Sequence, residues 1–422
     1  MSDIRFEGWL HRSGTGGVYQ DSAGNVGIAS TQPKTRLDIG NGGFQVGPTG
    51  IATVTTVNTT NLINATPLTN RNLIINGAMR IAQRATSSTA NGYGDLDRWK
   101  HEYAGTDENP TFAQVSLTTS DTPYTLGLTK TAKITNGNQT SGLQASSLIN
   151  FNQQIEAQNI RNSGWDYTSS SSYITLTFWV RASVEQNYHG FVKTQDGTNY
   201  VYPYETGTLS ANTWTKITKS IPGNSNLTIN DDTGGGFQVF PIFFGGTAYT
   251  SSSVTNNAWA TWSSGGRSKD QTATWFTTND ATLEITGVQL EVGSVATPFE
   301  HRPVSDELAR CKRYYEQFDS NGLAEAPFGV GYFEANNQLR AVVPIHEKRA
   351  DVSFSSSAAS TFSAMNTLNM PDGDSIALYK TGKKAVIIVL TLVSDVTSGD
   401  GRAGILCAEG STEATLKFDA EI

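Results

Sequence analysis

The stretch Leu283–Phe318, LEITGVQLEVGSVATPFEHRPVSDELARCKRYYEQF, decides the fold. Leu283 and Ile285 fall on one side of an extended chain, Gly287 interrupts, and Val288, Leu290 and Val292 resume in the opposite phase. Successive side chains of a strand point to opposite faces, so this change of phase predicts a bulge at Gly287 that keeps one apolar face and bends the strand. Pro298 and Pro303 bracket a turn. Ser305 is placed to cap a following helix, Asp306 and Glu307 suit its positive end, and Leu308, Cys311, Tyr315 and Phe318 recur at helical spacing. Strand, turn and helix divide a large β-region before them from a smaller one after.

Working outward, the region before is all-β in pattern. TLGLTKTAKIT, SYITLTFWVRAS, YHGFVKT, NYVYPYET, TWTKITKSIP and GGFQVFPIFFGG are short alternating runs separated by Gly, Asn, Asp and Pro turns. Strands at that spacing predict a jelly-roll-like β-sandwich over 72–300. Within it, 143–164 is the one segment with helical potential. The helix is expected over 301–318, followed by a small C-terminal β-domain over 319–422. Residues 1–71 lack the apolar content for a core; their Thr/Val/Asn alternation predicts an extended arm ordered by association with other chains. No repeat of fixed period is present, which counts against a β-helix.

A chain of 422 residues has room for two or three domains. Charged residues make up 16%, against roughly 25% in ordinary soluble proteins, so the surface is neutral and hydroxyl-rich. The formal charge of -8 argues against a nucleic-acid binder, which needs a concentrated cationic footprint. The charged start MSDIRFEGWLHRS does not read as a signal peptide, and the longest apolar run, AVIIVLTLV, is too short to span a bilayer, so a soluble chain without membrane insertion is expected. Cys311 and Cys407, far apart in sequence, read as buried thiols and not as a disulfide framework.

Little in the sequence points to catalysis, and no catalytic residue, metal ligand or cofactor is assigned. His11, His101, His189, His301 and His346 are dispersed, without metal-ligand spacing. There is no GxSxG and no phosphate-binding loop. Asn230, Asp231 and Asp232 in NDDTGGG read as an Asx-type turn, with a Ca²⁺ loop as the alternative. Glu156, Glu185, Asp196 and Glu205 read as solvated acids, although a glycosidase needs only two carboxylates. The aromatics are more suggestive. Ile174, Leu176, Phe178 and Val180 share a face, which turns Trp179 and Arg181 away from it; Tyr200, Tyr202 and Tyr204 share another. Together Trp179, Arg181, Tyr200, Tyr202 and Tyr204 form a candidate glycan platform, with packing against a neighbour as the competing reading. Trp259, Trp262 and Trp275 line a loop site or plug long loops.

Three segments resemble bacteriophage tail-fibre and related virion proteins. GVQLEVGSVATPFEHRP followed by ELARCKRYYE is similar to the end of a β-sandwich domain of those proteins. NLIINGAMRIAQR from Asn72, with DRW at Asp97–Trp99, resembles its opening, so the likeness frames about 72–318. GNVGIASTQPKTRLDI, Gly24–Ile39, is similar to the fibre segment GNVGIGTTSPSAKLDV, with Ala29, Ser30, Gln32 and Lys34 departing from it. The closing KFDAEI resembles an FDAEL-type terminal strand, whereas His346-Glu347-Lys348-Arg349 lacks the proline usual there. The resemblance implies an external virion fibre, made in the host cytoplasm. It implies attachment to other virion proteins through the N-terminal arm and adhesion to host-surface glycan; a homotrimer is expected because the short apolar runs of that arm cannot bury themselves within one chain. A head or neck fibre without a ligand and a fibre-borne depolymerase are the alternatives.

Overall fold

The computed structural model describes residues 8–10, 17–23, 26–28, 37–39, 70–366, 370–396 and 400–422. They belong to two compact units, Met1–Ala65 and Thr66–Ile422. In the first, β1 (Gly8–Leu10), β2 (Gly17–Gln20) and β3 (Val26–Ile28) pair antiparallel, and β4 (Leu37–Ile39) lies parallel to β3. The rest of the expected arm, including most of the fibre-like Gly24–Ile39 segment, lies outside the described residues.

The second unit is all-β, built from two sandwiches. The larger has two six-stranded antiparallel sheets. The first sheet contains β5 (Ser87–Ser88), β7 (Thr111–Ser116), β8 (Lys130–Thr135), β10 (Tyr173–Ala182), β13 (Thr215–Pro222) and β16 (Thr282–Val292), in the order β13-β10-β16-β8-β7-β5. The second contains β6 (Lys100–Ala104), β9 (Leu148–Glu156), β11 (Gln186–Thr194), β12 (Tyr200–Leu209), β14 (Gly235–Gly245) and β15 (Ala260–Thr261), ordered β15-β12-β11-β14-β9-β6. Alternation places Ile174, Leu176, Phe178 and Val180 of β10, with Val288 and Leu290 of β16, against Phe237 and Val239 of β14 in one buried core. The segment read as potentially helical holds strand β9, Leu148–Glu156, and only Ala157–Arg161, α1, is helical.

β16 carries the expected bulge. Thr177 pairs with Gln289 but Trp179 with Thr286, so one residue of β10 faces two of β16. Gly287 takes a left-handed backbone there, φ +62, and a Cβ would lie 2.7 Å from Leu128 Cδ1.

The two sequence frames bind each other. The Asn72 side chain donates to Val288 O and accepts from Leu290 N, which stitches the opening segment to β16. Gly77 lies so close to β16 that a Cβ would collide with the Val288 carbonyl. Asn76, at positive φ and 1% exposed, donates to Ile81 O and Asp97 O and accepts from Arg80 N and Ile81 N, while Trp99 Nε1 donates to its carbonyl. Arg302 closes the junction by donating to Ile74 O and Asn72 O and pairing with Glu300 and Glu307. An unpaired buried peptide group costs about 1–3 kcal/mol, which gives each of these polar side chains a reason to be there.

The linking helix is shorter than its apolar spacing suggests. α3 spans Val304–Lys312, follows Pro303 with no side-chain cap, and Ser305 Oγ reaches only Asp306 Oδ1. Tyr315 and Phe318 belong to β17 (Tyr315–Asp319), which pairs with β25 (Thr415–Asp419). A distant strand partner outcompetes helix extension for these aromatic residues, which favour strands. α2 is the single turn Thr274–Thr277.

The smaller sandwich packs β17, β25 and β20 (Ser353–Ser356) against a six-stranded sheet. That sheet contains β18 (Pro327–Ala335), β19 (Gln338–Pro344), β21 (Phe362–Met365), β22 (Gly373–Lys380), β23 (Ala385–Leu392) and β24 (Ala403–Ala408), ordered β21-β24-β18-β19-β23-β22. Its inner face carries Phe333, Leu339, Ile388, Leu390 and Leu406. Its outer face is also apolar: register aligns Met365, Ile405, Val330, Val342 and Ile387 in one row across five strands. Val330, Tyr332, Val342 and Tyr379 are 65, 48, 45 and 46% exposed on it.

The tail after β25 fastens this sandwich to the larger one. Arg98, 1% exposed, pairs with Glu421, donates to Gln154 O and lies 3.4 Å over the Tyr314 ring. Arg84 pairs with Asp419 at 2.8 Å, and Arg349 donates to Ala420 O, Glu421 O and Thr233 O. Lys348, fully buried, pairs with Glu316 at 3.1 Å. The segment lacking the expected proline thus supplies one junction cation, Arg349, beside the buried Lys348. Cys311 and Cys407 are buried and unbridged.

Candidate functional site

The aromatic platform expected from the sequence does not assemble. Trp179 and Arg181 lie on the outer face of the first sheet, away from the Ile174–Val180 core. Tyr200, Tyr202 and Tyr204 belong to β12 of the other sheet and point inward, where Tyr202 is 4% and Tyr204 0% exposed. The Tyr204 hydroxyl donates to Phe240 O and Pro241 O. Alternation puts three tyrosines on one face, and the sandwich buries that face because their rings fill space opposite β10 and β13. Arg181 is not free to grip a ligand: it pairs with both Glu284 oxygens, at 3.0 and 2.9 Å, and with Asp121 at 2.6 Å. Burial works against the Asp121 charge, but hydrogen bonds from Thr118 and Trp214, with the Arg181 charge, hold its carboxyl down to about 2.

The other tryptophans divide. Trp275 is buried and donates to Thr282 O; Trp259 donates to Pro222 O and meets Tyr202 edge-on. Both plug the core. Trp262 instead sits half-buried outside the second sheet, packed on Phe191.

That outer face is the site the sequence reading missed. Pairing aligns Lys100 with Asn152, Glu102 with Asn150, and Lys193 with Gln238 and Val201. The residues alternating with core-facing Ile149, Phe151 and Ile155 are therefore amides: Asn150, Asn152 and Gln154. Asn150 Nδ2 donates to Glu102 at 3.2 Å, Asn152 Nδ2 to Asn150 Oδ1 at 2.8 Å, and Gln238 Nε2 to Asn152 Oδ1 at 2.9 Å. Asn150 and Asn152 are fully buried, so this ladder is a supporting layer that fixes the groups above it. Those groups are the part-exposed Lys100, Glu102, Gln154, Lys193, Trp262 and Arg267. The signal was visible in LINFNQQIE as polar residues at every second position.

One end of the face is apolar beneath the 246–272 loop, where Phe191, Phe240 and Phe243 pack with Tyr249 and Trp262. Lys193 Nζ lies 4.3 Å from the Trp262 ring centre; Arg267 Cζ lies 5.3 Å from it and 4.4 Å from that of Tyr249. Burial pulls the Lys193 ammonium below its ordinary range, Arg267 adds to the fall, and Glu102 opposes it. Burial likewise lowers Arg267, against Tyr249 and Glu102. His189 shares the face, paired in register with Glu205; burial keeps it below its usual range, with Glu205 opposing and Lys269 adding.

In NDDTGGG, Asp232 accepts from Gly234 N and closes the turn, while Asp231 accepts from Asn162 and Asn230 donates to Asp196, so its polar groups tie the loop to its neighbours. Among the described residues no group of His, Cys, Asp and Glu is placed to hold a metal ion, and no helix is long and apolar enough to cross a membrane.

No protein-family model and no curated protein sequence matches the chain. Solved structures are similar to part of it. The tailspike protein 4 enzymatically active domain of bacteriophage CBA120 matches at 11% identity and TM-score 0.29, over 53% of this chain and 21% of that one. A family 11 carbohydrate-binding module from Clostridium thermocellum, in complex with a mixed-linked tetrasaccharide, matches at 9% identity and TM-score 0.23, over 50% of this chain and 98% of that one. The N-terminal cellulose-binding domain of a Cellulomonas fimi β-1,4-glucanase matches at 12% identity and TM-score 0.24, over 51% and 99%.

Proposed function

We propose that this chain is an external structural fibre component of a bacteriophage virion that adheres to host-surface glycan through the outer face of its second sheet. The observation that carries the adhesive part is that face: part-exposed charged and amide groups stand on a fully hydrogen-bonded amide layer, beside a half-buried tryptophan. Fixed donors and acceptors read sugar hydroxyls, and an aromatic ring covers the apolar side of a pyranose. The virion part rests on the sequence resemblance at 24–39, 72–99 and 283–318. Self-assembly has its own support in the outer face of the β18-containing sheet. Six strands about 4.8 Å apart and about seven residues long make a face of about 700 Å². That is close to the roughly 800 Å² each partner gives to a standard stable interface, and a further copy of this chain, presenting the same apolar row, is the occupant assigned to it. Attachment to other virion proteins belongs to the N-terminal unit, and no catalysis is assigned.

The test is binding of the full chain to a glycan array, with immunogold labelling of particles. Glycan binding together with label on an external fibre is the expected result. Label without binding supports a head or neck fibre, and release of reducing sugar from host polysaccharide makes the chain a depolymerase; either outcome overturns the adhesive reading.

A further inference from the structure

The geometry points to an acidic sugar, one bearing carboxylate groups, as the ligand of the second sheet's outer face; this rests on the glycan reading above. Lys193 and Arg267 converge on Trp262, at 4.3 and 5.3 Å from its ring centre. Neither has a carboxylate within ion-pair distance among the described residues, and Arg267 Nε is buried without a hydrogen-bond partner. The nearby anion, Glu102, is held by Lys100 at 3.0 Å and by Asn150. Elsewhere the protein matches its buried cations: Arg98 with Glu421, Arg313 with Glu156, Arg302 with Glu300 and Glu307, Lys348 with Glu316. Lys219, half-buried over Tyr204, is also unpaired, but it stands alone.

Burial disfavours both charges, and the nearby Arg267 charge adds to the cost at Lys193. A ring face compensates only part of the lost hydration. A ligand carboxylate seated between the ammonium and the guanidinium restores the missing charge balance. The terminal nitrogens of the guanidinium offer it planar donors. The same feature disfavours neutral glycans, which leave both cations unpaired when they cover the face. The chain's net charge of -8 and a single cation pair disfavour a polyanion as dense as nucleic acid. Sugar carboxylates spaced along a polymer suit one cation pair flanked by Glu102.

The experiment measures binding of the full chain to an array of uronate-, sialate- and neutral oligosaccharides. Calorimetry on an acidic hit and its methyl ester, which keeps the backbone and removes the charge, follows. At least tenfold tighter binding of the acid form is expected, shrinking as sodium chloride is raised. Lys193→Met and Arg267→Gln should each remove most of that preference while the melting temperature stays level or rises, because an uncompensated charge has gone. Equal binding of acid and ester, or hits confined to neutral sugars, overturns the acidic preference and leaves the glycan reading standing. Array silence overturns both. A sharp fall in melting temperature in both variants, with the preference kept, makes the cations packing props and also overturns the inference.

Discussion

Replacing Gly287 with alanine tests the sandwich where its curvature is set. At φ +62 an L-residue with a Cβ incurs about 1–2 kcal/mol of backbone strain. The new methyl would also lie 2.7 Å from Leu128 Cδ1 and 3.3 Å from Trp179 Cδ1. Leu128 is 1% exposed and has little room to retreat, so overpacking adds about 1–3 kcal/mol. Against this, alanine restricts the unfolded chain and returns about 0.4–1 kcal/mol. The net loss is about 1–4.5 kcal/mol. For a domain of this size that lowers the melting temperature by about 2–15 °C. Differential scanning calorimetry on the full chain reads it directly. Gly287→Asn separates the causes, since asparagine tolerates the left-handed region but meets Leu128 all the same. A Gly287→Ala protein melting within a degree of the parent would refute the argument, because neither strain nor overlap would then exist at the bulge.

Three other variants probe features described above. Tyr204→Phe removes a buried hydroxyl and leaves Phe240 O and Pro241 O without it; a loss of about 1–2 kcal/mol in urea unfolding with unchanged glycan binding is expected, and a selective binding defect would restore the tyrosine row to the site. Burial pushes the Asp97 carboxyl up from 3.8 to about 6, against hydrogen bonds from Gln83 and the Arg84 charge. Its favourable contribution is therefore present below pH 3.8 and lost as pH rises through 6. Asp97→Asn should gain stability relative to the parent between pH 5 and 8, by about 3 kcal/mol at most; a pH-independent difference would count against this. Val330→Glu combined with Val342→Glu puts carboxylates in the exposed apolar row, and light scattering should show a shift toward monomer, whereas an unchanged assembly would remove that face from the interface.

Local pattern made much of this fold legible. The phase change at Gly287 required only alternation within β16, and glycine is the residue that takes the resulting backbone without steric cost. The helix was misjudged at its far end because the partner of Tyr315–Asp319 is Thr415–Asp419, and strand pairing at such separation leaves no mark in a helical window. Alternation grouped Tyr200, Tyr202 and Tyr204 correctly but does not say which face of a strand becomes the interior. Trp179 does turn away from its own core, yet it belongs to the other sheet, a fact fixed by topology and not by spacing. The amide row in β9 was written in the sequence as clearly as the tyrosines. It was passed over because asparagine and glutamine have low strand preference, and the segment read as helical.

Arg98 and Glu421 are 323 residues apart, and that separation also sets a timetable. At roughly 5–20 residues per second of synthesis, the guanidinium waits roughly 15–65 s for its counterion to leave the ribosome. Throughout that interval the face that will hold Tyr314 and the tail must stay hydrated, since burying the charge alone is strongly unfavourable. The larger sandwich can close around β16 well before this, but its seam to the smaller one cannot. Nascent chains therefore pass through a stage with one finished domain and an open basic seam, in which Arg84 and Arg98 stand ready and are neutralised together when the acidic tail arrives, while Arg349 gains the tail's backbone carbonyls.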